Sequence, residues 1–324
     1  MALLDDIRPV ISKELDEFEV RFRQSMKSSV PLLDKITYYL IKRRGKQLRP
    51  MLVFFSAGMH GKINDSTYRA ASLIELLHTA TLVHDDVVDD AYRRRSFFSI
   101  NAIWKNKIAV LVGDYLLSKG LLLAIQNKEF SLLEKVSTAV QKMSEGELLQ
   151  IEKTRKLDIK EEEYFEIIRC KTASLVAACC ACGAISTGMD DAAIEKMWQL
   201  GEALGISFQI KDDLLDYAVG TDIGKPTGAD IKEKKMSLPL IYALEQASYT
   251  EKKQIIYAIK NQSKKIETVD KVFSFVKAKG GLEYAEKKMV EYREKSREML
   301  KEMPDSEYKK AFESLITFVT ERKN

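Results

Sequence analysis

Apolar residues recur every three or four positions along nearly the whole chain, from Leu3, Ile7, Ile11, Leu15 and Phe18 at one end to Tyr308, Phe312, Leu315 and Phe318 at the other. That spacing lines one face of a 3.6-residue helix, and period-two runs bounded by turn signals are absent. The expected architecture is therefore all-α. Turn and cap signals cut the pattern into about a dozen helices. The signals are Gly45 before Leu48-Arg49-Pro50, Asn64-Asp65-Ser66 before Thr67, Ser96 to Ser99 before Asn101, Gly188 to Asp191, Gly220 to Gly228, and Ser237-Leu238-Pro239. Helices around Ala71 to Val83 and Ala173 to Ile185 are apolar on most of their circumference, which places them centrally with amphipathic helices around them. A bundle around a central cavity fits this pattern. Six prolines and fifteen glycines are spread without a linker, so residues 1-324 read as a single domain.

A net charge of +4 is small beside 52 basic and 48 acidic residues, which argues against a nucleic-acid partner. Met1 to Gln24 carries early acidic residues and alternates charge with apolar positions, unlike a signal or transit peptide, and reads as a helix of the mature protein. This amphipathic first helix, Leu3 to Phe22, has no evident intramolecular role and could pack against a second subunit. The most apolar stretch, Thr172 to Met189, approaches spanning length but is built largely of Ala, Cys, Gly, Ser and Thr, which suits close helix packing better than lipid. The expectation is a soluble, cytoplasmic chain with no transmembrane segment. Cys170, Cys179, Cys180 and Cys182 crowd the same region, and the single C-x-x-C has no second pair or spaced histidine to complete a metal site. They read as small buried apolar residues.

Two aspartate clusters share one pattern: Asp85-Asp86-Val87-Val88-Asp89 and Asp212-Asp213-Leu214-Leu215-Asp216. In each, the first and last carboxylates are one helical turn apart and project from one face, so the two can grip one divalent cation. The middle aspartate lies about 100° around the helix, in a supporting position. Such a ligand set suits a hard cation such as Mg²⁺, which completes its shell with a substrate's phosphate oxygens. A lone acidic cluster is as often the solvated edge of an amphipathic helix. Here both clusters follow apolar stretches, Ala71 to Val83 and Leu200 to Ile210, and burying so many like charges without a cation would be costly.

Cationic groups surround the clusters in sequence. Gly45-Lys46-Gln47-Leu48-Arg49-Pro50 puts Lys46 and Arg49 in a tight loop at a helix start, where backbone N–H groups also favour an anion. His78 lies seven residues before Asp85 on the same face and could bond a phosphate, although a histidine on an apolar helix is usually a core residue. His84 points about 100° away from Asp85 and reads as packing or support. Arg93-Arg94-Arg95, Lys171-Thr172, Phe208-Gln209, and Gly224 to Asp230 with Lys225 and Lys235 complete a set of phosphate-binding candidates. The glycine-lysine loop fails the Walker spacing.

As an ordered set these motifs resemble the trans-isoprenyl diphosphate synthases of the polyprenyl synthetase family, over most of the chain. Gly45 to Pro50 is similar to G-K-x-x-R-P, Asp85 to Asp89 to the first aspartate-rich motif, Arg94-Arg95 to the arginine pair after it, and Gly205 to Asp216 to G-x-x-F-Q-x-x-D-D-x-x-D. Lys171-Thr172 matches the lysine-threonine step. The resemblance implies the isoprenoid synthase fold and a homodimer. It implies that Lys46, Arg49, His78 and Arg95 hold isopentenyl diphosphate, and that Arg94, Lys171, Thr172, Gln209, Lys225 and Lys235 hold an allylic diphosphate. It implies Asp85, Asp89 and Asp212 as Mg²⁺ ligands, with Asp86, Asp213 and Asp216 in support, and about three ions once substrate is bound. Lys171 joins the aspartates in the expected catalytic set.

In that chemistry, cations neutralise the allylic diphosphate as it leaves, the double bond of isopentenyl diphosphate attacks the allylic cation, and the departed diphosphate takes the final proton. An apolar cavity protects the cation. The family sets product length largely by the residues just before the first cluster, here Ala80 and Thr81. Their small volume implies repeated condensation to an all-trans product longer than geranylgeranyl diphosphate. Helical phase puts Thr81 on the face of Asp85 and Ala80 about 140° away, so Ala80 comes from the resemblance alone. Ser96 stands where the family commonly has glycine, followed by Phe97-Phe98, which leaves the conformation of the arginine loop open. Other readings are a short-chain (farnesyl or geranylgeranyl) synthase, a subunit of a heteromeric synthase, and a terpene cyclase, which needs no second anion site.

Overall fold

A computed structural model describes residues 2–42, 45–94, 97–218 and 228–322, except for the side chains of residues 2, 3, 5, 94 and 156. The described residues form α1 (Ala2–Ile7), α2 (Ser12–Ser25), α3 (Pro31–Ile41), α4 (Leu48–His60), α5 (Asp65–Val88), α6 (Ile100–Gln126), α7 (Phe130–Lys156) and α8 (Glu161–Ile168). They continue with α9 (Ser174–Ser186), α10 (Asp191–Asp216), α11 (Ala229–Lys232), α12 (Leu238–Glu245), α13 (Tyr249–Gln262), α14 (Ile266–Ala278), α15 (Gly281–Lys301) and α16 (Glu307–Glu321). The all-α expectation holds. The helices outnumber the dozen expected because pieces as short as α1 and α11 contain too few periodic positions to register in a sequence pattern.

The cap signals mark real boundaries. Asn64 closes a capping box on α5, accepting from the backbone of Ser66 and Thr67 while Thr67 Oγ1 accepts from Asn64 N at 3.2 Å. Ser99 caps α6, and Ser237 precedes α12 with Pro239 in its first turn. Between α5 and α6 the antiparallel pair β1 (Arg93–Arg94) and β2 (Phe97–Phe98) matches Arg93 to Phe98 and Arg94 to Phe97. Two residues per strand are too few for period two to appear in the sequence. Arg95 and Ser96 lie outside the described residues.

The first helix differs from expectation. Pro9 lacks an N–H and interrupts Leu3 to Phe22, leaving α1, a 3₁₀ turn at Arg8–Ile11, and α2. Its stripe is not free for a second subunit: Ile7, Ile11, Leu15, Phe18 and Phe22 are buried, and Phe18 meets Phe54 of α4 edge-on at 6.1 Å. Val20 is exposed on α2, and among the described residues the helix with the most exposed apolar positions is α6, with Ile103, Val110, Leu111, Leu121, Leu122 and Ile125.

The chain divides into two compact units. The first comprises Met1–Val140, Ala178–Trp198 and Met303–Phe312. Its core is α5 against α6, where Gly113 and Gly120 let the helices approach until a Cβ would lie 2.2 Å from His84 Nε2 and from Leu77 Cδ1. Part of α9 packs on α4 with equal closeness. Ser56 Oγ donates to Cys180 O, and a Cβ on Gly183 would lie 2.6 Å from Val53 O. Cys179, Cys180 and Cys182 are fully buried and free, and burial pushes the Cys182 thiol up to about 12. They are packing residues.

The second unit comprises Gln141–Ala177, Gln199–Glu302 and Glu313–Asn324, around a core that includes Ile167, Ile206, Ile210, Leu238, Ile241 and Val272. By length and composition, Ile100–Gln126 and Glu161–Ser186 could cross a membrane, the second including most of the apolar stretch Thr172 to Met189. Glu161–Ser186 is mostly buried in the protein, whereas α6 carries the exposed apolar face.

Gly183→Ala should lower the unfolding free energy by about 1–3 kcal/mol, read as a lower urea or thermal midpoint, although Gly→Ala in an uncrowded helix stabilises by about 1 kcal/mol. An unchanged or raised midpoint would show that α4 and α9 separate freely.

Candidate active site

Both aspartate clusters occupy the last turn of their helices, Asp85 to Asp89 at the end of α5 and Asp212 to Asp216 at the end of α10. Unsatisfied carbonyls already make a helix C-terminus negative, so carboxylates there need cations or donors aimed at them. The apolar stretches before both clusters imply that all these acids lie near burial; the structure divides them. The middle aspartates, Asp86 and Asp213, are buried at 5% and 6% exposure, whereas Asp85 and Asp212 are half-buried and Asp89 is exposed. In each cluster, the residues expected to meet a cation keep access to solvent and the middle one is buried.

In the first unit, Gln47 adopts a left-handed conformation (φ 56°) just before α4 and turns the chain sharply between Lys46 and Arg49. Arg8 Nη2 donates to Gln47 Oε1 at 2.8 Å, tying this loop to the N-terminal segment. Arg49 Nη1 lies 3.6 Å from Oε1 of Glu75, a residue one turn before the buried His78 on α5. The loop and the His78 face of α5 therefore meet through Glu75, which sequence reading missed. A lone glutamate among apolar residues gives no pattern to find. His84 packs against α6, with Nε2 3.2 Å from Val110 O and 3.4 Å from Asp114 Oδ1, as its phase implied. Asp86 O accepts from Ala91 N at 2.9 Å and from Asn101 Nδ2 at 3.0 Å, anchoring the end of α5. Beyond it Tyr39 Oη donates to Phe98 O at 2.8 Å, which holds the Phe97-Phe98 strand paired with Arg93-Arg94. Ala80 is buried, and Thr81 Oγ1 donates to His78 O at 2.8 Å. Arg95 and the Arg94 side chain lie outside the described residues.

In the second unit, Lys171 and Thr172 stand in a single π-helical turn, Arg169–Ala173, between α8 and α9. Such turns insert one residue and redirect side chains, often at functional sites. Two glycines make room for it: a Cβ on Gly205 would lie 2.5 Å from Ala173 Cα, and one on Gly146 would lie 2.9 Å from Lys171 N. The glycine of the second motif is thus a packing requirement.

A hydrogen-bonded line then runs from this turn to the aspartates. Thr172 Oγ1 donates to Gln209 Oε1 at 2.8 Å, Gln209 Nε2 donates to Asp213 Oδ1 at 3.0 Å, and Tyr164 Oη donates to Asp213 Oδ2 at 2.7 Å. Lys171 Nζ donates to Gln150 Oε1 at 2.7 Å and pairs with Glu147. Asp216 accepts from Ala229 N at 3.0 Å and Asp230 N at 3.1 Å, capping α11. Arg322, just past α16, pairs with Asp212 and stacks on Phe208 at 4.2 Å. Lys235 Nζ donates to Glu233 Oε2 at 2.5 Å. Lys225 lies outside the described residues. Tyr164, Glu147, Gln150 and Arg322 were not legible as site residues because their partners are distant in sequence.

Burial pushes the Asp213 carboxyl up to about 6 against its two donors, and burial with the nearby Asp213 and Asp216 charges pushes Asp230 up to about 8. Among the described residues no three His, Cys, Asp or Glu side chains converge as a closed metal site. Each cluster offers oxygen donors only, and few of them. That fits a hard divalent cation that keeps coordination positions for water and diphosphate oxygens.

A family model described as polyprenyl synthetase matches residues 30–276, across both units. The chain belongs to that family. It is 32% identical to the octaprenyl diphosphate synthase of Escherichia coli (strain K12) over 320 residues, 98% of this chain and 99% of that protein. The solved polyprenyl synthase from Caulobacter crescentus CB15, complexed with calcium and isoprenyl diphosphate, superposes with a TM-score of 0.90 at 31% identity, covering 99% of this chain and 98% of that one. The geranylgeranyl pyrophosphate synthase from Bacteroides thetaiotaomicron superposes with a TM-score of 0.84 at 36% identity, covering 99% and 100%. The isoprenoid synthase fold expected from the motifs is the fold of this polyprenyl synthetase.

Raised carboxyl pKa values set a sign for stability against pH. Asp213 and Asp230 bind protons in the folded chain at pH values where the unfolded chain, titrating near about 3.9, has released them. Their contribution is fully present below about pH 4 and is lost as pH rises through about 6 and about 8. Metal-free protein should therefore unfold more easily at pH 8 than at pH 5, and Asp230→Asn should flatten that fall, gaining most at pH 8. Parallel urea midpoints for the two proteins at both pH values would count against this.

Proposed function

We propose that this polyprenyl synthetase condenses isopentenyl diphosphate head-to-tail with an allylic diphosphate, repeatedly, releasing diphosphate at each step and ending with an all-trans polyprenyl diphosphate longer than geranylgeranyl. The observation that carries the reading is the line from Thr172 through Gln209 to Asp213, which fixes the second aspartate motif against a lysine-threonine turn built for it. It stands on a family match that spans both aspartate motifs and the glycine-lysine loop.

Lys46 and Arg49, with His78 and Arg95, take the diphosphate of isopentenyl diphosphate. Left-handed Gln47 places the two cations of the loop at the start of α4, where backbone N–H groups add to them. Arg94, Lys171, Thr172, Gln209, Lys225 and Lys235 take the allylic diphosphate. Lys171 is presented by the π turn and kept in place by Gln150 and Glu147 until an anion competes for it. Asp85, Asp89 and Asp212 would hold Mg²⁺, which would supply positive charge to neutralise the leaving diphosphate. Asp86, Asp213 and Asp216 keep the helix ends in position through their own bonds. Buried Ala80 presents only a methyl group, so it does not floor the space that a growing chain would enter. Both longer- and shorter-product synthases are similar to this chain, and the small volume at Ala80 and Thr81 decides for the longer product.

The exposed apolar face of α6 is the surface through which two copies pair. Its opposite face, with Ala109, Val112, Gly113, Leu116 and Gly120, is buried, and Asp114 interrupts the helix with a charge 60% exposed. A subunit interface tolerates that charge better than a bilayer core does.

Purified protein given Mg²⁺, labelled isopentenyl diphosphate and farnesyl diphosphate should yield products beyond geranylgeranyl, and Ala80→Phe should shorten them. Absence of any prenyl product would defeat the synthase reading, and an unchanged distribution in the variant would remove Ala80 as a length determinant. By light scattering on a sizing column, the wild type should be a dimer and Leu111→Glu with Leu122→Glu predominantly a monomer. A monomeric wild type, or a variant dimer of undiminished stability, would rule out the α6 interface.

A further inference from the structure

Arg322 follows α16 directly, yet its partner Asp212 lies 110 residues earlier, where the Arg322 Nη2 donates to Asp212 Oδ1. The guanidinium carbon stacks 4.2 Å from the centroid of the Phe208 ring, which lies one turn before Asp212 on α10. Only 14% of the Arg322 side chain is exposed, against 39% for Asp212. Two further contacts pin this end of α16 to α15: Arg293 Nη1 lies 3.3 Å from Glu321 Oε1, and Arg297 Nη2 donates to Thr317 Oγ1 at 2.8 Å. A planar cation held between an aromatic face and a carboxylate, mostly out of water, contributes well beyond an ordinary surface ion pair.

We propose that Arg322 is the resident counter-ion of Asp212, a positioning residue that holds this carboxylate until a divalent cation takes its place, so that metal loading and docking of the end of α16 exclude one another. The inference rests on the reading of Asp212 as a metal ligand. A divalent cation on Asp212 would bring a second positive charge against the guanidinium already bonded to Oδ1, and two cations at contact distance repel strongly. Loading therefore replaces one cation by another at Asp212, and the guanidinium leaves both the carboxylate and the Phe208 ring. The lost stack and ion pair weaken metal binding at Asp212 relative to a chain without the arginine. Before loading, the same contacts keep the carboxylate aimed. The C-terminal end of the chain thus reports whether Asp212 holds its metal.

The test uses full-length protein freed of metal by chelation and titrated with Mn²⁺ alone, with free Mn²⁺ followed by electron paramagnetic resonance. Arg322→Ala should bind Mn²⁺ about three- to tenfold more tightly than wild type, and Arg322→Lys should return affinity towards wild type. Hydrogen exchange in residues 317–322 of the wild-type chain should speed up on saturation with Mn²⁺. Asp212→Asn, run in parallel, should lose one equivalent of bound Mn²⁺ and keep any that Asp85 and Asp89 hold. If Asp212→Asn binds Mn²⁺ as wild type does, the ligand assignment and this inference fall together. If Asp212→Asn loses that equivalent while Arg322→Ala binds no more tightly than wild type, this inference alone is overturned. Should Arg322→Ala fail to fold, unchanged exchange at the end of wild-type α16 overturns it.

Discussion

Placing carboxylates at the negative end of a helix is the constraint to which much of this structure responds. The end of α10 carries Asp212, Asp213 and Asp216, and α11 brings up Asp230. Each acid is met differently. Asp213 is buried and takes two side-chain donors, Asp216 is spent on the first backbone N–H groups of α11, and Asp212 has a guanidinium. Asp230 keeps the cost as a carboxyl pushed up to about 8 by burial and its neighbours. Donors from α8, the π turn, α11 and the end of α16 are thereby committed to one helix terminus. A divalent cation arriving there would relieve repulsion that the protein's own groups only partly offset.

The π turn shows how packing places a reactive side chain. An ordinary α-helix through Arg169–Ala173 would rotate Lys171 and Thr172 by roughly one residue's worth of turn. The extra residue is accommodated because Gly146 and Gly205 leave no side chain where the turn bulges. The glycine that opens the second aspartate motif and the glutamine four residues later therefore serve one purpose: the first admits the turn, the second bonds to it.

What could be read from the sequence was what is local. Helix boundaries at Asn64, Ser99 and Ser237 depend on caps within three residues, and the spacing of Asp85 to Asp89 depends on one turn. The interruption at Pro9 was equally local, and apolar periodicity running through it hid the break. Tyr164, Glu75 and Arg322 could not be found that way. Each meets its partner across an intervening stretch of chain, 49 residues for Tyr164 and Asp213, and nothing in a residue's own neighbourhood encodes such a contact. The face of α6 illustrates the same limit, since its apolar residues lie on both sides of the helix while the fold covers only the side with the glycines.

Ala80 and Thr81 raise a narrower point about polarity beside a hydrocarbon product. A free hydroxyl would be a poor neighbour for an isoprenoid chain and worse beside an allylic cation, which water or an alcohol can quench. Thr81 Oγ1 donates instead to the carbonyl of His78 in its own helix, a bond open to threonine at helical positions. The hydroxyl is satisfied within α5, so the surface Thr81 offers to a neighbour is chiefly its methyl. Replacing it by valine would then alter shape very little, whereas a larger side chain at either position would change the volume available, the quantity proposed to govern product length.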